Sequence, residues 1–323
     1  MTKIIFILGV SIGSVMLGYL VRRAVFSGDQ LRERAAATLS RRMKILSIFI
    51  LNPIPVIDSF WKLPLDNGAI FLLPVLGIIS LFIGGGASIA LSRLFRIPPD
   101  RAASVFTCGM FTNILTFGGL IAFVFYGTSG YAMVQLFNML VSASYYIVGF
   151  PISRRISLGP RTEGDPPGPS PFREQPYLIV PMIAIATGLA LNLLRLPRPL
   201  LLDQAAGLLV PTLAAILGLS IGVTLRLRRI GAYRREIPLI LLIKFVIVPA
   251  VMIPLGVAFG LPGVSDGVAF NVLVIVSVMP VAFNALVPPA LYGFDLDLAN
   301  SAWIVSTLAL IVILPLLFVT LKP

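Results

Sequence analysis

The chain contains no histidine and a single cysteine, Cys108, and only 12% of its 323 residues are charged. Without imidazole there are no His-built metal sites and no His-based catalytic triads. A lone thiol excludes an intramolecular disulfide framework, and Cys108 is expected simply to pack within a helix. Acidic residues number 13, and Asp266, Asp295 and Asp297 fall at the ends of apolar stretches, so no cluster of buried carboxylates suggests a metal site. No catalytic residues, metal ligands or cofactor motif remain, and the chain reads as a non-enzyme. Charge this sparse is about half the roughly 25% of soluble domains.

What the chain has in abundance is apolar sequence: 58% of residues are hydrophobic and the mean hydropathy is +0.99. Ten apolar stretches fall at about residues 3–22, 45–63, 69–92, 103–126, 130–152, 177–196, 200–225, 237–260, 267–292 and 299–319. Most are long enough to cross a core of about 30 Å, which takes roughly 20 residues. The chain is expected to be an all-α, multi-pass integral membrane protein with the lipid bilayer as its surroundings.

The net charge of +12 does not point to nucleic acid, because 19 of the 25 basic residues fall in the connections after the first, third, fifth and seventh stretches. That is the bias of cytoplasmic connections, and it places both termini outside the cytoplasm. The basic stretch at 27–44 reads as a surface helix. Asp58 either faces the protein interior or sits at the outer interface beside Trp61 and Lys62. Lys244, the one cation well inside a stretch, either snorkels to the interface or neutralises a polar core. The run Gly84-Gly85-Gly86-Ala87-Ser88 suits close helix packing rather than a phosphate cradle.

Residues 278–293, VMPVAFNALVPPALYG, cannot form an ordinary membrane helix, because Pro280, Pro288 and Pro289 each remove a donor and obstruct the preceding turn. Freed backbone groups at membrane depth need protein or a water-lined cavity. Residues 112–127, TNILTFGGLIAFVFYG, carry Asn113 beside the helix-weakening pair Gly118 and Gly119 and end on the same Tyr-Gly. The Pro-, Gly- and charge-rich segment 153–175 reads as a cytoplasmic linker between residues 1–152 and 176–323. Five stretches on each side, an odd number, require the second half to be inverted, as in repeats of secondary transporters. Aligning Gly127 with Gly293 sets Asn113 opposite Met279 and Gly118 opposite Asn284.

These residues resemble the auxin efflux carrier family, the PIN-like and bacterial malonate-type carriers, within the wider bile-acid symporter-like group. Asn113, Gly118 and Gly127 keep the spacing of the family's fourth helix, although Leu120 stands where the family usually has its crossover proline. Met279, Pro280, Asn284, Tyr292 and Gly293 match the ninth. The resemblance implies ten helices in two inverted five-helix repeats, a scaffold of the first, second, sixth and seventh, and a transport domain with crossed fourth and ninth helices. It implies elevator-type alternating access for small organic anions, auxin-like or dicarboxylate, in a prokaryotic plasma membrane, and is compatible with a homodimer. A sodium-coupled bile-acid-type symporter is the alternative, and a channel or a sensor would lack counterflow.

A buried carboxylate site needs positive potential, which two half-helix N-termini supply at about half a charge each. The candidate substrate-binding residues are Asn113, Thr116, Gly118, Asn138, Tyr145, Pro280, Asn284 and Pro288. Asn138, Ser142 and Tyr145 share one helical face at spacings of four and three.

Overall fold

A computed structural model describes residues 2–26, 30–65, 67–159, 179–199, 201–225 and 230–322. Its helices are α1 (Thr2–Phe26), α2 (Gln30–Trp61), α3 (Gly68–Leu94), α4 (Pro99–Met110), α5 (114–126), α6 (128–158), α7 (Ile179–Leu193), α8 (Leu201–Thr224), α9 (Glu236–Ala258), α10 (Val268–Ser277), α11 (283–292) and α12 (Leu296–Leu321). No strand occurs among the described residues, apart from one isolated bridge between Thr112 and Val281.

Seven helical stretches among the described residues are long and apolar enough to cross a membrane: α1, α2, α3, the continuous run of α5 and α6, residues 204–224 of α8, α9 and α12. The chain is a multi-pass integral membrane protein. The difference from ten expected stretches has local causes. The fourth and ninth are each interrupted, at 111–113 and 278–282, and α7 has only 15 described residues. The expected linker at 153–175 starts later, because helix continues to Leu158 and stops where Gly159 takes φ +81°. Residues 160–175 lie outside the described residues, as do Arg226, Arg228 and Arg229.

Several helices meet through small residues. A Cβ on Gly18 would collide with the Leu219 carbonyl oxygen, and one on Gly222 with that of Val15, so α1 and α8 touch backbone to backbone. Such contact is how membrane helices gain dispersion energy without a hydrophobic driving force. Gly84, from the glycine run, abuts the Gly109 carbonyl in the same way and joins α3 to α4. Cys108 is buried within α4.

Prolines bend the long helices in a regular manner. The π-helical turns Ser47–Leu51, Tyr145–Gly149 and Ile243–Ile247 each end two residues before a proline, Pro53, Pro151 and Pro249. A proline cannot donate to the preceding turn, and a widened turn accommodates the missing bond.

At the α2–α7 end of the molecule Asp58 is fully buried, and the Arg198 guanidinium donates to its Oδ1 from Nε at 2.7 Å. Asp58 is thus interior and paired, which settles the choice left open by the sequence. The basic stretch expected as a surface helix is the first part of α2 itself, continuous with the apolar part. At the opposite end Arg101 of α4 bridges Glu236 at 3.0 Å and Asp295 at 3.6 Å, while the Tyr233 hydroxyl donates to Asp295 Oδ1 at 2.8 Å. Burial, and then the Asp295 carboxylate, hold the Tyr233 phenol above its ordinary pKa, so it remains a donor.

Candidate functional site

The two interruptions lie against each other. The Asn113 N–H donates to the Pro280 carbonyl at 2.9 Å, and the Ala282 N–H donates to the Phe111 carbonyl at 3.0 Å. Between these bonds Thr112 and Val281 form the antiparallel bridge. Their own N–H groups point away from the pairing and need acceptors in an apolar interior. Each finds a hydroxyl from the last helix of its own half: Thr112 N–H donates to Tyr145 Oη at 3.0 Å, and Val281 N–H donates to Ser306 Oγ at 3.2 Å. The Tyr145 hydroxyl also donates to the Thr112 carbonyl at 3.1 Å, with its ring stacked on Phe111 at 4.1 Å.

Thr112 has one more partner. Lys244 Nζ donates to its Oγ1 at 2.7 Å, and Lys244 is only 1% exposed. It does not snorkel; it ends at the crossing. It has no acidic partner among the described residues, whereas the buried Asp58 is compensated by Arg198. Lys244 and Tyr145 both sit on π-helical turns before prolines, which is how two different helices aim a polar side chain at the same residue.

Beside the crossing is a cavity of about 170 Å³. One side is polar, with Asn113 and Thr116 at the start of α5, Asn284 at the start of α11, and Asn138, Ser142 and Tyr145 on α6. The Asn138 amide donates to Ser142 Oγ at 2.9 Å, which fixes its orientation. The facing side is largely apolar, from Val210, Leu213, Leu217 and Ile221 of α8. From α2, Asn52 and Lys44 complete the lining; Lys44 Nζ lies 4.0 Å from the Phe283 ring centroid, and Asn52 Oδ1 accepts from Tyr131 Oη at 2.7 Å.

Of the eight residues singled out from sequence, Asn113, Thr116, Asn138, Tyr145 and Asn284 line the cavity. Gly118, Pro280 and Pro288 lie behind it. A Cβ on Gly118 would meet Met279 Cγ of the second break at 3.3 Å and Val276 Cγ1 of α10 at 3.5 Å; Pro280 contributes the carbonyl that receives Asn113; Pro288 is buried in the first turn of the α-helical part of α11, Val287–Tyr292, which follows a 3-10 turn. Pro288 and Pro289 therefore do not break the helix, because the first turn has no donor to lose. Nor does the pair Gly118 and Gly119 mark the first break, which lies upstream at 111–113 with helix running through both glycines.

Gly127 and Gly293, aligned with each other from sequence, both take positive φ, +64° and +76°, with different ψ, −150° and +20°. The break is 15 residues before that glycine in the first half, from Thr112, and 12 in the second, from Val281. Asn113 thus corresponds to Ala282 at the crossing, rather than to Met279. Lys244, Lys44 and Asn52 escaped the sequence reading as lining or crossing residues, since nothing in one sequence tells which way a helix face turns.

Residues 176–318 match the family model described as Membrane transport protein. The second half of the chain is thus similar to membrane transport proteins. Over this second half the resemblance to auxin efflux carriers drawn from 278–293 is borne out, and the family consists of transporters rather than enzymes. No curated protein matches the sequence.

Proposed function

We propose that the protein is a secondary carrier of small organic anions and that the cavity at the crossing is its substrate site. The observation that carries this reading is the paired breaks: two helix starts, those of α5 and α11, open on one cavity with an uncompensated buried lysine behind them. Helix starts carry unpaired N–H groups and a partial positive charge, so the potential favours an anion without a bidentate salt bridge that would slow release. Asn113, Asn284 and Thr116 supply neutral hydrogen-bonding groups for a carboxylate. The apolar α8 wall favours a monocarboxylate with an apolar body, auxin-like, over a dicarboxylate. A volume below the roughly 300–1,000 Å³ of drug-sized pockets keeps the molecule small.

The proposal extends to architecture and movement: ten spans in two inverted five-helix repeats, both termini outside the cytoplasm, and a transport domain built around the crossing that slides past a scaffold containing α1, α2, α7 and α8. The positive φ shared by Gly127 and Gly293 and the matched hydroxyls of Tyr145 and Ser306 support the inverted repeat. The site lies between α5, α6 and α11 on one side and α2 and α8 on the other, as an elevator requires.

The test is thermal stabilisation of the purified protein by indole-3-acetate, malonate, malate and a bile acid, with and without sodium, repeated on the Asn113→Ala, Asn284→Ala double variant. A ligand at about 100 times its Kd stabilises by about 2.7 kcal/mol. The expected result is sodium-independent stabilisation by an apolar monocarboxylate that the double variant loses. Stabilisation that needs sodium selects the symporter reading, and stabilisation unchanged in the double variant removes the anion from the crossing.

A further inference from the structure

A second cavity, of about 310 Å³, lies at the end of α3. Its polar lining is Ser92, Arg93 and Arg96, and Ile89, Ile97 and Ile156 form its apolar side. Neither guanidinium has a partner among the described residues. Ser92 is 5% exposed, and its Oγ is buried without a hydrogen bond. An orphaned buried hydroxyl is uncommon enough to need an explanation, and a ligand oxygen in the cavity provides one. Asp100, the acidic residue in the first turn of α4, is not part of the lining.

The backbone holds this arrangement in place. The Ile97 N–H donates to the Ser92 carbonyl at 2.9 Å and the Arg96 N–H to the Arg93 carbonyl at 3.2 Å, the paired bonds of a helix-ending left-handed turn. Its left-handed residue, usually glycine, is Arg96, with φ +51°. An arginine tolerated there, at a cost of roughly 1–2 kcal/mol, stands at the mouth of the cavity with Arg93.

We propose that this cavity binds a phosphate group, with Arg93 and Arg96 as its charged donors and the Ser92 hydroxyl as a third. Guanidinium forks match phosphate oxygens two at a time, and basic pockets beside membrane helices are suited to anionic headgroups. Two sources share this chemistry, the headgroup of an anionic phospholipid and a free phosphorylated solute. The rim favours the lipid: Leu94 and Phe95, next to Arg93, are 72% and 55% exposed and offer apolar contact to acyl chains.

The test is native mass spectrometry of the protein released from nanodiscs of phosphatidylglycerol or of phosphatidylcholine, with a parallel thermal-shift titration in detergent using inorganic phosphate. Three variants accompany the wild type: Arg93→Gln with Arg96→Gln, Arg96→Gly, and Arg41→Gln with Arg42→Gln as a control for general charge. Arg96→Gly relieves the left-handed backbone, so it removes the guanidinium without endangering the fold. Each arginine is expected to account for about fivefold in phosphatidylglycerol retention and the pair for about 25-fold, with no change in the control. Stabilisation by inorganic phosphate, lost in the same variants and without preferential lipid retention, assigns the site to a soluble phosphate. Equal retention of both lipids with no phosphate effect, or retention unchanged in Arg96→Gly and in the double glutamine variant, overturns the proposal.

Discussion

The two breaks that meet at the crossing are built by different means. In the second half, Pro280 has no N–H to give, so the residue itself disfavours helix there, in addition to the pairing with the first break. In the first half, residues 111–113 contain no proline and no glycine, and the chain there is extended because its partners require it. Phe111 and Asn113 are paired with the other break, and Thr112 is held by Tyr145 and Lys244. One break is written into its own residues; the other is imposed by tertiary structure. The cation follows the same division, because Lys244 reaches Thr112 of the first break, whereas Val281 of the second receives only the Ser306 hydroxyl.

Four substitutions sharpen this contrast. Lys244→Met removes the charge behind the first break while keeping the bulk. Even a full charge about 8 Å from the anion at an effective dielectric of 20 contributes no more than roughly 2 kcal/mol, so the loss in anion affinity is at most about 30-fold. Thermal stability should not fall, because an unpaired buried charge is costly to keep; ligand titrations and melting curves on one sample read both effects. Tyr145→Phe keeps the stack on Phe111 but leaves the Thr112 N–H without an acceptor, which should cost about 1–3 kcal/mol, measured by denaturant or heat. Ser306→Ala does the same to Val281 through a longer bond and should cost about 1 kcal/mol. Pro280→Ala should have the smallest effect, within about 1 kcal/mol and acting through the unfolded chain, because pairing with Phe111 and Asn113 holds the break open. If Pro280→Ala proves the most damaging of the four, the second break depends on its proline and not on the pairing.

The same asymmetry explains what could be read from the sequence. Apolar length and charge bias gave a helical membrane chain, and the proline at 280 located the second break, since both are local properties of residues. Around the first break the only local signal is the helix-weakening pair Gly118 and Gly119 beside Asn113, and the tertiary pairing that extends 111–113 has none. The polar residues of α6 were legible because Asn138, Ser142 and Tyr145 repeat at helical spacing on a helix already suspected. Lys244 and Lys44 were not, because a lysine near a helix end can reach water or turn inward, and only the neighbouring helices decide. Pro288 and Pro289 misled for a related reason: a proline breaks a helix from its middle but starts one from its first turn.

The central claim, that the paired breaks hold a transported organic anion, is tested most directly by counterflow in proteoliposomes. Vesicles preloaded with unlabelled indole-3-acetate are diluted into a trace of labelled compound, for the wild type and for the Asn113→Ala, Asn284→Ala double variant. The account predicts transient accumulation of label by the wild type, saturable and unaffected by sodium, and none by the double variant. Accumulation that persists in the double variant would contradict it, because the anion would then cross by a path that does not pass the crossing.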